Sequence, residues 1–424
     1  MSAQQPNGVS KKAHPLQALS GTISENASVV SQYLDANSLP QPSFEKDGPS
    51  TIIPNGAPRD IQDAQQSLIA ASLELFQLAI GPSEFLPNLA TGIFHHVPLD
   101  GTISYTDLAA AVNVPEQRLK SIVRMAMTNT LFREQPDGKH VGHSATSALL
   151  TRNGDVYAYA SYMCAKSAPT AMHMAAAHKK WGADSMRTYE TSYNIAFDTD
   201  LPFFDHISRD EAKMGEFARY MRNVRSSEGV DLKHLVNGFS WQDIRDGGKV
   251  VDVGGSTGSA AIALANAYPK LNFVVQDLPA NADSGRNAAE SLPADISSRI
   301  TFQGHNFTEP QPVHDADTYL LRMILHDWPD NDAVKILKNI VAAMKPNSKL
   351  LIMDTVLPTP GSVPASVERI VRVRDLTMMQ AFNSKERDLE NWQELLATTD
   401  PRLQLLSVNQ PFGSTMSILE IALR

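Results

Sequence analysis

From about position 60 onward the chain alternates between apolar residues spaced for helices and short β-branched runs suited to buried strands. Ile61, Leu68, Ile69, Leu73, Leu75 and Phe76 share one helical face, and a second helix is predicted through Phe85 to Phe94. Ser104 is an N-cap candidate, Asn113-Val-Pro breaks the helix that follows it, and Glu116 to Thr128 forms the next. Leu131 to Val141, with Asp137-Gly138 near its middle, reads as a hairpin. Helix, turn, helix and wing together predict a winged-helix-like module over 59–165. Helical spacing resumes from Val156 to about Gly238, and the segment 166–245 supplies candidate pocket walls. Phe203, Phe217 and Met221 are the side chains offered for an aromatic substrate, although Met and aromatic residues at helical spacing are more often core.

Over 246–424 strands and helices alternate as in a doubly wound α/β sheet. Val250 to Val253, Asn272 to Gln276, Ile300 to Gln303, Asp317 to Met323 and Lys349 to Asp354 are predicted strands, and Leu403 to Gln410 with Met416 to Leu423 closes the sheet with an antiparallel last strand. Side chains that act in such sheets gather beyond the C-terminal strand ends, where Asp277, Asn306, His326 and Asp354 fall.

Composition alters this picture in three places. Residues 1–58 are rich in Ser, Pro, Asn and Gln, with only a weakly periodic piece from Ile23 to Leu34, and are expected to be a flexible extension. The formal charge of −9 disfavours the DNA-binding reading of the wing, in which Arg118, Lys120 and Arg124 would face the groove. A polar start, no apolar run near ~18 residues and a single cysteine, Cys164, make a cytoplasmic, membrane-free location the default expectation.

The chemistry concentrates in V-V-D-V-G-G-S-T-G, residues 250 to 258. Gly254, Gly255 and Gly258 form a turn between strand and helix, where unpaired N–H groups and the positive helix end suit an anionic group. Asp277 lies 23 residues after Gly254, where an acid takes ribose hydroxyls. The loop fits neither the P-loop nor the dinucleotide pattern, which leaves a nucleoside without a pyrophosphate. His326 is a candidate general base, expected to be largely neutral at pH 7, with Asp354 and Glu386 as acids able to orient it. A metal site made from these groups ranks lower, because a lone histidine with dispersed acids lacks zinc-ligand spacing.

V-V-D-V-G-G-S-T-G, V-V-Q-D-L-P, L-L-R-M-I-L-H-D-W-P-D, I-M-D-T-V-L-P and S-K-E-R occur in this order, and the chain from about Asp60 onward resembles the caffeic-acid and sterigmatocystin type of S-adenosylmethionine-dependent O-methyltransferase. F-D-T-D-L-P-F-F and S-S-E-G bring it nearer to fungal secondary-metabolism members. The resemblance implies a Rossmann-like methyltransferase domain, a helical dimerisation module in place of DNA binding, no metal, and a small phenolic or polyketide-type acceptor. It also implies that the 254–258 loop holds the methionyl end, Asp277 the ribose, and His326 the acceptor's proton, with Leu278, Asn306, Phe307 and Arg322 beside the cofactor. Asn306 departs from the usual Asp, Ser384 from a common Gly, and Asp354 from the Glu of plant relatives. A pericyclic enzyme of the same fold, or a cofactor-binding scaffold without activity, is the alternative reading.

Overall fold

A computed structural model describes residues 14–43, 49, 51–54, 56–80, 92–182 and 184–424. The chain divides into two compact units, Met1–Ala160 and Ser161–Arg424.

The first unit begins with a correction. Within the expected flexible extension, Pro15–Ala36 is a 22-residue helix with proline in its first turn. It packs on the helix Arg59–Ile80, and Val30, Leu34, Ile53, Ala57, Ile61 and Ala64 close a small core between them. Only Val30 and Leu34 of the first helix are buried, so its own sequence carries little apolar signal; the partner helix supplies the rest. The helix expected through Phe85 to Phe94 lies mostly outside the described residues, and Ile93–His96 is a 3₁₀ turn. Next come β1 (Ile103–Ser104), helices Tyr105–Val112 and Glu116–Met127, and the hairpin of β2 (Arg133–Glu134) and β3 (His140–Gly142), in sheet order β1-β3-β2. The Ser104 hydroxyl accepts from the Asp107 N–H at 3.0 Å, as an N-cap should. Phe94, Leu108, Leu119, Val123 and Val141 are fully buried in this unit's core.

The second unit starts with short helices that lead to Glu211–Arg225 and Leu232–Asn237. Its sheet comprises β4 (Lys249–Val253), β5 (Asn272–Asp277), β6 (Ile300–Gly304), β7 (Thr318–Arg322) and β8 (Lys349–Asp354). Two short strands, β9 (Val356–Leu357) and β10 (Arg387–Asp388), pair in parallel outside it. β11 (Leu403–Asn409) and β12 (Ser417–Leu423) complete the seven strands, ordered β11-β12-β8-β7-β4-β5-β6. β4 to β8 run parallel, and β12 lies antiparallel between β8 and β11, which matches the expected doubly wound sheet. Helices cover both faces, so β4 reads as the unbroken run Val250-Val251-Asp252-Val253, all buried. The segment 166–245 and the sheet that follows it lie together in the compact unit Ser161–Arg424. Among the described residues, no helix is long and apolar enough to cross a membrane.

Candidate active site

Strand order reverses around β4, which has β5 on one side and β7 on the other, and the crevice beyond the strand ends is where ligands bind in such sheets. Asp277, Arg322 and Asp354 are the last residues of β5, β7 and β8, and Asp252 is the penultimate residue of β4.

The glycine turn is built for close packing. Gly254 and Gly258 have φ of +75° and +83°, and a Cβ on Gly255 would stand 2.5 Å from Asp252 Oδ2. The turn's N–H groups are used differently from the sequence expectation. Those of Gly254 and Gly255 donate to the Gln276 carbonyl at 2.8 and 3.0 Å, and that of Gly258 to Gly255 at 2.9 Å. Ser256, itself at φ +54°, donates its N–H to Asp277 Oδ2 at 2.8 Å. Asp277 Oδ1 accepts from the Leu278 N–H at 2.8 Å and from the Asn281 amide at 2.7 Å. Two carboxylate oxygens offer about four acceptor positions, so three donors leave room for a hydroxyl. Leu278 is 52% exposed beside it. Phe307 is half-buried, with its ring edge-on to Trp328 at 5.6 Å. The Asn306 carbonyl oxygen is committed to the N–H and hydroxyl of Thr308 at 3.0 and 2.9 Å, so its amide N–H groups are the end available to a ligand.

His326 sits on the 3₁₀ turn Leu325–Asp327, preceded by Met323 at φ +56°. Its Nδ1 lies 3.0 Å from Glu386 Oε1, while Asp354 Oδ1 is 3.9 Å away. Glu386 is therefore the group that orients the ring, and a carboxylate at that distance makes Nδ1 the donor, so Nε2 is the nitrogen left to exchange a proton with a ligand. Asp354 instead accepts the Leu325 N–H at 3.2 Å and fixes the turn. Arg387, fully buried, donates to the Leu325 and Trp328 carbonyls at 2.7 and 2.9 Å and to Asp330 at 2.7 Å.

The ring's ionisation differs from expectation. Burial alone would lower its pKa, but Glu386, Asp354 and Asp327 outweigh burial and push it up to about 10. Burial pushes Asp354 and Asp252 up to about 7 and Asp327 up to about 6. Without a ligand these acids thus favour the protonated ring over the neutral base expected from the sequence. Burial lowers Arg322 to about 10, and Nη2 donates to the Val230 carbonyl while Nε has no partner. Asp252 Oδ2, Asp354 Oδ1 and Glu386 Oε2 are also buried without donors. Asp327, Asp252 and Arg225 belong to this charge cluster and were missed in the sequence. The adjacency of Asp327 to His326 and the position of Asp252 just before the glycines were the available signals.

The residues fit a sulfonium nucleoside. An acid has room for ribose hydroxyls, an exposed leucine suits a purine face, arginines suit a carboxylate, and unpaired carboxylate oxygens suit a positive sulfur. Of the expected substrate side chains, Phe203 is 5% exposed among Tyr193, Phe204, Phe217 and Phe382, so it backs the aromatic wall and does not form its surface. Phe217 and Met221 keep partial exposure and, with Arg225, recur every four residues along one face of Glu211–Arg225.

The O-methyltransferase domain family matches residues 173–400. The chain is 64% identical to the O-methyltransferase pgmB of Aspergillus terreus, over 96% of each chain. It is 46% identical to the O-methyltransferase aurJ of Gibberella zeae, over 96% of this chain and 97% of that one. A solved pericyclic reaction enzyme superposes with a TM-score of 0.65 at 22% identity, over 95% of this chain and all of that one, a likeness of fold alone. Domain match and full-length identity agree: the chain belongs to the O-methyltransferase family, is an O-methyltransferase, and takes S-adenosylmethionine as its cofactor.

Proposed function

We propose that this O-methyltransferase methylates a phenolic or enolic hydroxyl of a small aromatic molecule of polyketide type, with His326 as the proton acceptor. The observation that carries the reading is the 3.0 Å contact between His326 Nδ1 and Glu386, which presents Nε2 as the basic nitrogen. Asp277 would hold the ribose, Leu278, Asn306 and Phe307 the adenine end, and the 254–258 turn with Arg322 the methionyl end. The cofactor supplies an electrophilic methyl group on a sulfonium. The chain's own task is to align the acceptor oxygen and take its proton as the bond forms, because a phenol of pKa about 10 is a poor nucleophile while protonated. His326 receives that proton only after shedding the one its three carboxylates favour. The partly exposed Phe217 and Met221, backed by the buried aromatic cluster, support an apolar, planar acceptor.

Incubation with methyl-labelled cofactor and a panel of polyketide-type phenols, read by mass, tests the proposal. A labelled methyl on oxygen is the expected result. Product of unchanged mass, formed at a rate indifferent to His326→Ala, would replace methyl transfer with pericyclic chemistry.

A further inference from the structure

The acids around His326 exceed what holding a ring requires. Nδ1 needs one acceptor and has Glu386, yet Asp354 Oδ1 stands 3.9 Å from the same nitrogen and Asp327 Oδ1 stands 3.7 Å from Nε2. Charged groups gather at the strand ends, and of these Glu386, Asp354 and Asp327 act on the ring itself. Asp252 comes from β4, Asp277 and Arg322 from the ends of β5 and β7, Asp354 from the end of β8, and Asp327 from the ring's own turn. Asp375 comes from the helix Ala365–Phe382, Glu386 and Arg387 from the segment after it, and Arg225 with Asp231 from the segment that leads to β4. Arg372 and Lys385 also face Asp375, so these are seven acids against five cations besides the ring, and three of the buried carboxylate oxygens lack a donor. Such an excess is balanced either by a cation from outside the chain or by protons.

We propose that the cluster of His326, Asp354 and Asp327 is a proton exchanger keyed to the charge on the cofactor's sulfur. It releases about one proton when the sulfonium form binds, releases none when the neutral thioether product binds, and regains the proton from the acceptor hydroxyl. The return step rests on the reading of His326 as proton acceptor. If the acceptor oxygen meets both His326 and the transferring methyl, the sulfur lies within about 6 Å of the ring. At an effective dielectric of about 20, a unit charge there weakens proton binding about a hundredfold. The groups concerned titrate from about 6 to about 10, so such a change displaces protons at neutral pH. The balance closes over a turnover. One proton leaves to buffer as the cation enters, the acceptor's proton takes its place as the sulfur loses its charge, and the enzyme bearing thioether is again fully protonated.

Calorimetric titration of the full chain with S-adenosylmethionine and with S-adenosylhomocysteine, each in phosphate, HEPES and Tris at pH 7.5, counts the protons exchanged. Both ligands carry the same amino and carboxylate groups, so their difference isolates the sulfur. The expected result is about one more proton released with the first ligand, and an affinity for it that rises by up to about tenfold per pH unit from pH 6.5 to 8.5 while the second stays flat. Equal proton counts for the two ligands overturn the proposal, as does an undiminished difference in both His326→Asn and Asp354→Asn. The titration uses no acceptor, so its failure is distinct from absence of a methylated product in the labelling assay, which would instead defeat the functional reading.

Discussion

At the scale of single residues, the ionisation of His326 decides most of what the site does. A group that binds protons more tightly folded than unfolded gives its full stabilisation below the unfolded value and loses it as pH rises through the folded one. For His326 that window runs from an unfolded value of about 6.5 to a folded value of about 10. The cofactor-free protein should therefore lose stability across this window more steeply than His326→Asn does. Unfolding midpoints of the two proteins at intervals from pH 6 to pH 10 check this, and parallel curves would show that the ring is not held as a cation. In turnover, His326→Ala should cost ~10²–10⁴ while cofactor binding persists, as expected on losing a general base. Glu386→Gln should cost less, because an amide carbonyl still accepts from Nδ1 and orients the ring. A Glu386→Gln loss as large as that of His326→Ala would mean that the carboxylate itself carries the proton.

At the scale of elements, the turn bearing His326 owes its shape to a distant side chain. Arg387 reaches across from β10 and binds the two carbonyls that bracket the histidine, and its guanidinium also lies 5.2 Å over the Trp392 ring. Arg387→Met should destabilise the protein by about 1–3 kcal/mol, because the Leu325 and Trp328 carbonyls lose their donor while the partly exposed Asp330 keeps Lys385 at 3.0 Å. Arg387→Lys should recover only part of this, since an ammonium cannot span both carbonyls and Asp330 as a planar fork does. Denaturant unfolding measures both, and a wild-type midpoint for Arg387→Met would remove Arg387 from its assigned place. This contact marks the limit of the sequence. The sheet, the glycine turn, and the arrival of Asp277, His326 and Asp354 at strand ends were legible, because each depends on local periodicity and on strand order. Arg387, Asp327 and Arg225 were not, because their importance lies in contacts or electrostatic coupling that pattern does not encode. The helix Pro15–Ala36 escaped for the same reason: Val30 and Leu34 become meaningful only once Ile61 and Ala64 of the next helix cover them.

At the scale of the whole molecule, the described residues of the first unit have basic side chains already paired and apolar side chains left exposed. Lys120 is paired with Glu116 at 2.7 Å and Arg124 with Glu134 at 2.9 Å, while Arg133 donates to the His143 carbonyl, so three cations of the helix and hairpin are already engaged within the protein. On the helix Arg59–Ile80, Ile69 and Leu73 are each 50% exposed and lie one turn apart on the same face. An acidic chain whose second helix leaves such a stripe open is expected to form a homodimer through 59–165, as a surface of this kind usually marks an interaction site. Leu73→Lys, alone and with Ile69→Lys, should shift the molecule toward monomer, because burying an unpaired ammonium in a dimer interface costs several kcal/mol. Sedimentation velocity at micromolar concentration measures the shift, with circular dichroism to show that the variants remain folded. A wild-type chain that sediments as a monomer would refute the dimer, and variants that stay dimeric would place the contact elsewhere. Salt-sensitive DNA binding by the wild-type chain would instead restore the nucleic-acid reading, since each phosphate contact contributes to the salt dependence of affinity.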